Sequence, residues 1–199
     1  MEIVFDGWWR IVQNPLKFKL SDFVPPGADS RLFFASFGLT VVTFGVYARF
    51  FDILAPFIPG GSVRDSSGLL FAIPIFLLLS GQTLFTTFLT YISVGAVNPG
   101  KKDVLKANFV ASVQILLFSV LYIFFPSYGP YTYVVYFMPK ESFAPFSYPL
   151  LVAWTLAVIF ATALLTRRIF GLEKDPGFSF VKSLMLAATS LAVIMMMAD

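Results

Sequence analysis

Residues 69–96 read LLFAIPIFLLLSGQTLFTTFLTYISVGA, and residues 98–103 read NPGKKD. The run from Leu69 to Ala96 contains no charged side chain. About 20 apolar residues cross the hydrocarbon core of a bilayer, so this run spans one with length left for tilt. Val104–Phe125 forms a second apolar run whose one charge, Lys106, lies in its first turn. Pro99-Gly100 breaks a helix between the runs, and Lys101, Lys102 and Lys106 cannot sit in hydrocarbon. The two runs therefore read as a transmembrane helical hairpin with its turn on a lysine-rich side of a membrane.

The rest of the composition agrees. Of 199 residues, 58% are hydrophobic and only 13% charged, against about 25% charged in soluble domains. A soluble chain of this length could not hide so much apolar surface. Cys and His are both absent, which excludes disulfides, thiolate nucleophiles, zinc and iron–sulfur sites, His-ligated haem and Ser-His-Asp triads. No metal site, catalytic set or cofactor site is expected; bound lipids are, and pigment or quinone contact stays open. The net charge of +3 comes without a basic run of the kind that binds nucleic acid, so the expected partners are the bilayer and other integral membrane proteins.

Ahead of the hairpin, residues 1–30 read as a cytoplasmic amphipathic segment. Phe5, Trp8, Trp9, Val12 and Leu16 share one helical face, with Arg10, Gln13, Asn14 and Lys17 on the other. That pattern suits a helix lying in the membrane interface, with Trp8, Trp9 and Arg10 meeting the surface or a partner. Pro25-Pro26-Gly27 ends it, and Asp29 or Ser30 is placed to cap the next helix. The first span covers about 32–54; Gly38 and Gly45 share a face on which a neighbouring helix can approach closely. Arg49 and Asp52 read as an interfacial pair at its exit.

The second span, 69–96, carries a stripe of Ser80, Thr83, Thr87 and Thr90, with Gln82 off it; the third, 104–125, carries Asn108, Ser112, Gln114 and Ser119. The two polar faces are expected to meet inside the hairpin, as packing contacts or as a substrate path. A Tyr-rich interruption follows, in which Tyr131, Tyr133 and Tyr136 are expected at the membrane surface or against a partner. The fourth span, about 150–166, stops at Arg167-Arg168, and the fifth runs over about 178–197 with Lys182 snorkelling at its start. Residues 31–199 thus form a five-helix transmembrane domain, and the fold class is all-α, an integral membrane bundle with an interfacial helix in front.

Orientation follows from the cations. With the N-terminus cytoplasmic and five spans, eleven of the fourteen Lys and Arg fall inside, among them Lys101, Lys102, Arg167 and Arg168. Only Arg49, Arg64 and Lys140 fall outside, a strong positive-inside bias that sets the C-terminus on the opposite side.

This layout resembles the Yip family, five-span membrane proteins named for interacting with Ypt/Rab-type GTPases, and their prokaryotic relatives. Asn14-Pro15-Leu16-Lys17-Phe18 looks like the Asn-Pro-x-x-Phe element ahead of the first span in prokaryotic members, and Gly100-Lys101-Lys102 is similar to their Gly-rich turn between spans two and three. The Asp-Leu-Tyr-Gly-Pro motif of eukaryotic members is absent. The resemblance implies an interaction or membrane-organising protein without catalytic residues. The residues themselves point the same way: a non-catalytic accessory subunit or scaffold of a larger membrane assembly. The alternative is a small transporter or channel that uses the polar faces of spans two and three.

Overall fold

The first described element starts where its cap places it. The Asp29 carboxylate accepts the Arg31 backbone N–H at 3.0 Å, which satisfies one of the free donors at a helix N-terminus. The computed structural model describes residues 29–54, 68–124 and 144–198. They form five α-helices: α1 (Ser30–Leu54), α2 (Gly68–Val97), α3 (Val104–Phe124), α4 (Ala144–Ile169) and α5 (Phe180–Ala198), with a 3-10 turn at Pro99–Lys101. No strand occurs among the described residues. The expected interfacial helix with Trp8, Trp9 and Arg10 lies outside the described residues, as do Tyr131, Tyr133 and Tyr136 and the side chains of Arg49 and Asp52.

Local chemistry sets the other ends. Asp103 caps α3, its Oδ1 accepting the N–H groups of Leu105 and Lys106 at 3.0 and 3.2 Å. Ser179 Oγ caps α5 by accepting the Lys182 N–H at 3.3 Å. Helix α4 closes in a Schellman turn, with Leu172 N–H returning to Arg167 O at 2.7 Å and Gly171 N–H to Arg168 O at 3.1 Å. Gly171 supplies the left-handed residue that this turn needs, at φ 60°. Helix α4 begins at Ala144, earlier than the expected 150. Pro145 and Pro149 suggested a break there. Pro145, however, sits in the first turn, where no intrahelical N–H is owed, and Pro149 withholds one bond that a long apolar helix tolerates.

Four helices carry stretches long and apolar enough to cross a membrane: Ser30–Tyr47, Ile75–Val97, Val152–Ile169 and Phe180–Met197. Helix α3 carries a shorter apolar stretch, Val104–Val120, and it is the inner helix. None of its residues from Val104 to Val120 is exposed, and it touches all four other helices. Helices α1, α2, α5 and α4 follow one another around it. One apolar cluster draws on all five, with Tyr47, Leu79, Ile115, Val158 and Leu191 at its heart. A second cluster lies toward the α2–α3 turn and holds Val94, Val110, Phe170, Leu172 and Phe178.

Large apolar side chains point outward, among them Phe34, Phe37, Leu77, Leu84, Leu156 and Met196. Apart from the large side chains of the two apolar clusters, much of the interior is small or hydroxylated: Ala107, Ala111, Ser112, Thr90, Ser183, Ala187 and Ser190 are all buried. In water this inverted surface would far exceed the few hundred Å² of contiguous apolar patch that monomers carry. In lipid it is ordinary, because small residues let helices approach while large apolar ones face the chains. The all-helical fold of the described residues, with four helices long and apolar enough to span, is consistent with a multi-pass integral membrane protein.

Candidate functional site

Helices α2 and α5 run antiparallel along a shared seam. At one end Gly81 lies against Met197, and at the other Gly177, just before α5, lies against Val97. Gln82 is fully buried on this seam. Its Nε2 donates to Ile194 O at 3.1 Å, and its Oε1 accepts from Tyr47 Oη at 3.3 Å. Gln114, also fully buried, comes from α3. Its Nε2 donates to Ala187 O at 2.8 Å, and its Oε1 accepts from Ser190 Oγ at 2.8 Å. Ala187, Ser190 and Ile194 stand at i, i+3 and i+7, so both glutamines grip one face of α5 from two different helices.

The hairpin's polar faces are thus largely turned elsewhere. Thr87 Oγ1 reaches Asn108 Oδ1 at 3.4 Å across α2 and α3. Ser36, Thr40, Thr43, Thr83, Ser112 and Thr166 instead donate to the carbonyl four residues back in their own helix. A hydroxyl bonded this way needs no second helix and no water. Ser80, Thr83 and Thr87 are half-buried, whereas Gln82, Thr86 and Thr90 make the buried face of α2. Thr86 Oγ1 and Thr162 Oγ1 are buried without a hydrogen-bond partner among the described residues. Gly38 and Gly45 face outward, with open space within 4 Å of any added Cβ. The described helices therefore leave that face free.

The second assembled region is the end of the bundle where the α2–α3 turn meets the α4–α5 loop. Asn98 Nδ2 donates to Asp175 Oδ2 at 3.1 Å, and Lys101 Nζ donates to Gly171 O. Lys102 folds back along α2 because Gly95 has no side chain to oppose it. Its Nζ lies 5.6 Å from the Tyr91 ring centroid, a cation–π contact worth about 0.5–1 kcal/mol at an exposed site. Arg167 lies 5.7 Å from the Phe180 ring and donates from Nη2 to Glu173 O at 2.9 Å. Arg168 is exposed beside it. Lys101, Lys102, Arg167 and Arg168, far apart in sequence, are thus brought to one end with Lys106, Lys174 and Lys182. The α2–α3 turn and the α4–α5 loop also carry the carboxylates Asp103, Glu173 and Asp175. Lys106 pairs with Asp103 at 3.5 Å, an exposed pair of small energetic weight.

The Asn98 amide, then the Gly177 backbone N–H at 3.0 Å, hold the Asp175 carboxyl below its usual value; the Lys101 charge adds to this and desolvation opposes it. A carboxyl depressed in the folded state stabilises above its unfolded value of about 3.9 and loses that contribution as pH falls through the lower folded value. Acidification through and below pH 4 is therefore expected to loosen the turn at residues 98–102, seen as faster amide exchange beyond the intrinsic pH effect. Asp175→Asn should show that loosening at neutral pH and lose the added acid sensitivity.

Several residues that hold these regions carry weak sequence signals. Tyr47 and Trp154 belong to no polar pattern in the sequence, yet Tyr47 Oη donates to Gln82 Oε1 at 3.3 Å and Trp154 Nε1 to Leu117 O at 3.0 Å. Ser190 was findable, since Ser183, Ala187 and Ser190 mark a small face at helical spacing. Among the described residues no group of three His, Cys, Asp or Glu is placed to hold a metal ion. Comparison of the chain with protein-family models, with curated proteins and with solved structures gives no match.

Proposed function

We propose that this chain is a non-catalytic accessory subunit or scaffold of a larger membrane assembly, spanning the bilayer five times with its N-terminus in the cytoplasm. The observation that carries this reading is the contrast between the two faces of the bundle. Inside, Gln82 and Gln114 are committed to α5 carbonyls; outside, the Gly38–Gly45 face of α1 has no neighbour among the described residues. Small residues on an outer face suit close docking of a helix from another membrane protein. As a span beyond the four long apolar helices, α3 has 21 residues, or about 31 Å at 1.5 Å per residue, against a hydrocarbon thickness of about 30 Å. The docking of the α2–α3 turn on the α4–α5 loop supports one basic side, which the positive-inside rule makes cytoplasmic.

A transport path through the same helices would need the two glutamine amides free to meet a substrate. Both are engaged on both sides, and Thr83 and Ser112 beside them bond within their own helices, so the subunit reading is the stronger.

The test is native purification from the source membrane in mild detergent, with mass spectrometry of intact assemblies. The chain is expected with defined membrane partners at fixed stoichiometry. Gly38→Leu with Gly45→Leu should release those partners while the chain's own melting temperature holds, because both positions open onto empty space. A lone, stable monomer with no partner overturns the reading.

A further inference from the structure

Toward the basic end, the α2–α5 seam opens into a groove of about 270 Å³ that no described helix fills. Leu89 and Ser93 line it from α2, and Lys182, Met185, Leu186 and Thr189 from α5. The groove is polar at one end only. Lys182 stands by the loop, in the first turn of α5, while Thr189 lies seven residues on, about 10 Å deeper at 1.5 Å per residue. Met185 is 65% exposed, so the groove opens sideways, toward what would be lipid. Its volume falls just under the 300–1,000 Å³ typical of small-molecule sites, enough for part of one acyl chain and not for a whole lipid.

We propose that this groove seats an acyl chain of an anionic phospholipid whose phosphate is held by Lys182. Charge complementarity selects this occupant. In the α2–α3 turn, the α4–α5 loop and the helix turns beside them, seven cations stand against three carboxylates, and the cytoplasmic leaflet is the one rich in anionic lipid. Lys182 Nζ donates one bond, to Gly177 O at 2.8 Å, which fixes the ammonium at the mouth of the groove and leaves two N–H donors for phosphate oxygens. Thr189 Oγ1 is already bonded to Met185 O at 2.9 Å, so the deep end offers a chain no open donor. The site rests on the membrane-spanning reading but not on any protein partner.

The experiment is native mass spectrometry of the full chain in detergent micelles, titrated with dioleoyl-phosphatidylglycerol, dioleoyl-phosphatidylcholine or inorganic phosphate. The wild-type chain is expected to retain phosphatidylglycerol over phosphatidylcholine and to ignore phosphate alone. Lys182→Gln should weaken phosphatidylglycerol retention by about fivefold, the loss expected for one lysine at an anionic lipid surface. Thr189→Phe, at an exposed position that tolerates bulk, should block the chain and give a similar loss. Lys174→Gln, on the same end but away from the groove, should change little. Equal losses for Lys174→Gln and Lys182→Gln would mean diffuse attraction and overturn the site, as would equal retention of the two lipids or competition by phosphate. Alkaline carbonate extraction tests membrane integration separately, so failure of the site is distinguishable from failure of the membrane reading.

Discussion

Gln114→Ala is expected to lower the stability of the bundle by about 2–3 kcal/mol, measured by reversible unfolding in mixed detergent–SDS micelles. The two bonds lost contribute about 0.6 kcal/mol each on the average for membrane interiors. The cavity left at a fully buried position supplies the rest, as it does when large core side chains are truncated. Gln114→Leu should cost less, about 1 kcal/mol, because it refills most of the space and because Ser190 Oγ keeps a second acceptor, Ala187 O, at 3.0 Å. Gln82→Ala should match Gln114→Ala. The α5 groups they hold, Ala187 and Ile194, are seven residues apart, about 10.5 Å along the helix. At that distance the two effects should add, to about 5 kcal/mol in the double variant. The order Ala worse than Leu marks a packing and clamping role. A transport role predicts the opposite emphasis: Gln82→Leu and Gln114→Leu would abolish flux in liposomes while stability hardly moved.

Phe178→Ala is expected to be as disruptive at the basic end, by about 3 kcal/mol or more, the usual cost of truncating a buried aromatic. Phe178 is 2% exposed and packs in the cluster with Val94, Val110, Phe170 and Leu172. The Schellman turn at Gly171 carries Leu172 into that cluster, and the Asn98–Asp175 and Lys101–Gly171 bonds lie over it. Hydrogen exchange should rise in both the 98–102 turn and the 170–179 loop of the variant, together with a fall in melting temperature. Exchange confined to residues 170–179 would show that the two loops are not held through this cluster.

The helices were legible in the sequence because long uncharged runs and the Pro-Gly and Arg-Arg interruptions have few physical interpretations. The start of α4 was not, because Pro145 and Pro149 are breakers in a loop but tolerable near the start of a long apolar helix. Gln82 and Gln114 could be named, yet not what they bond. A stripe of Ser and Thr predicts which face is polar, but hydroxyls satisfy themselves on their own backbone, so the stripe did not define the seam. Gln82, set off that stripe, does. The amide side chain is too long to fold back as a hydroxyl does and must find a partner on another helix, and periodicity within one helix cannot say which. The outward placement of Gly38 and Gly45 was equally hidden, since spacing shows that two glycines share a face and not which way the face points.

The clamp has a consequence for how the chain is made. Gln82 and Gln114 lie on α2 and α3, but their acceptors at Ile194 and Ala187 are on α5. During synthesis the hairpin would enter the bilayer with the Gln114 amide and the Gln82 NH2 group unsatisfied, Tyr47 on α1 reaching only Gln82 Oε1, and they would stay so until α5 is inserted. The early bundle is therefore an open intermediate that assembly chaperones or membrane proteases can recognise by its bare amides. Arrival of α5 closes it in a single step, so insertion of that helix and concealment of these polar groups become one event.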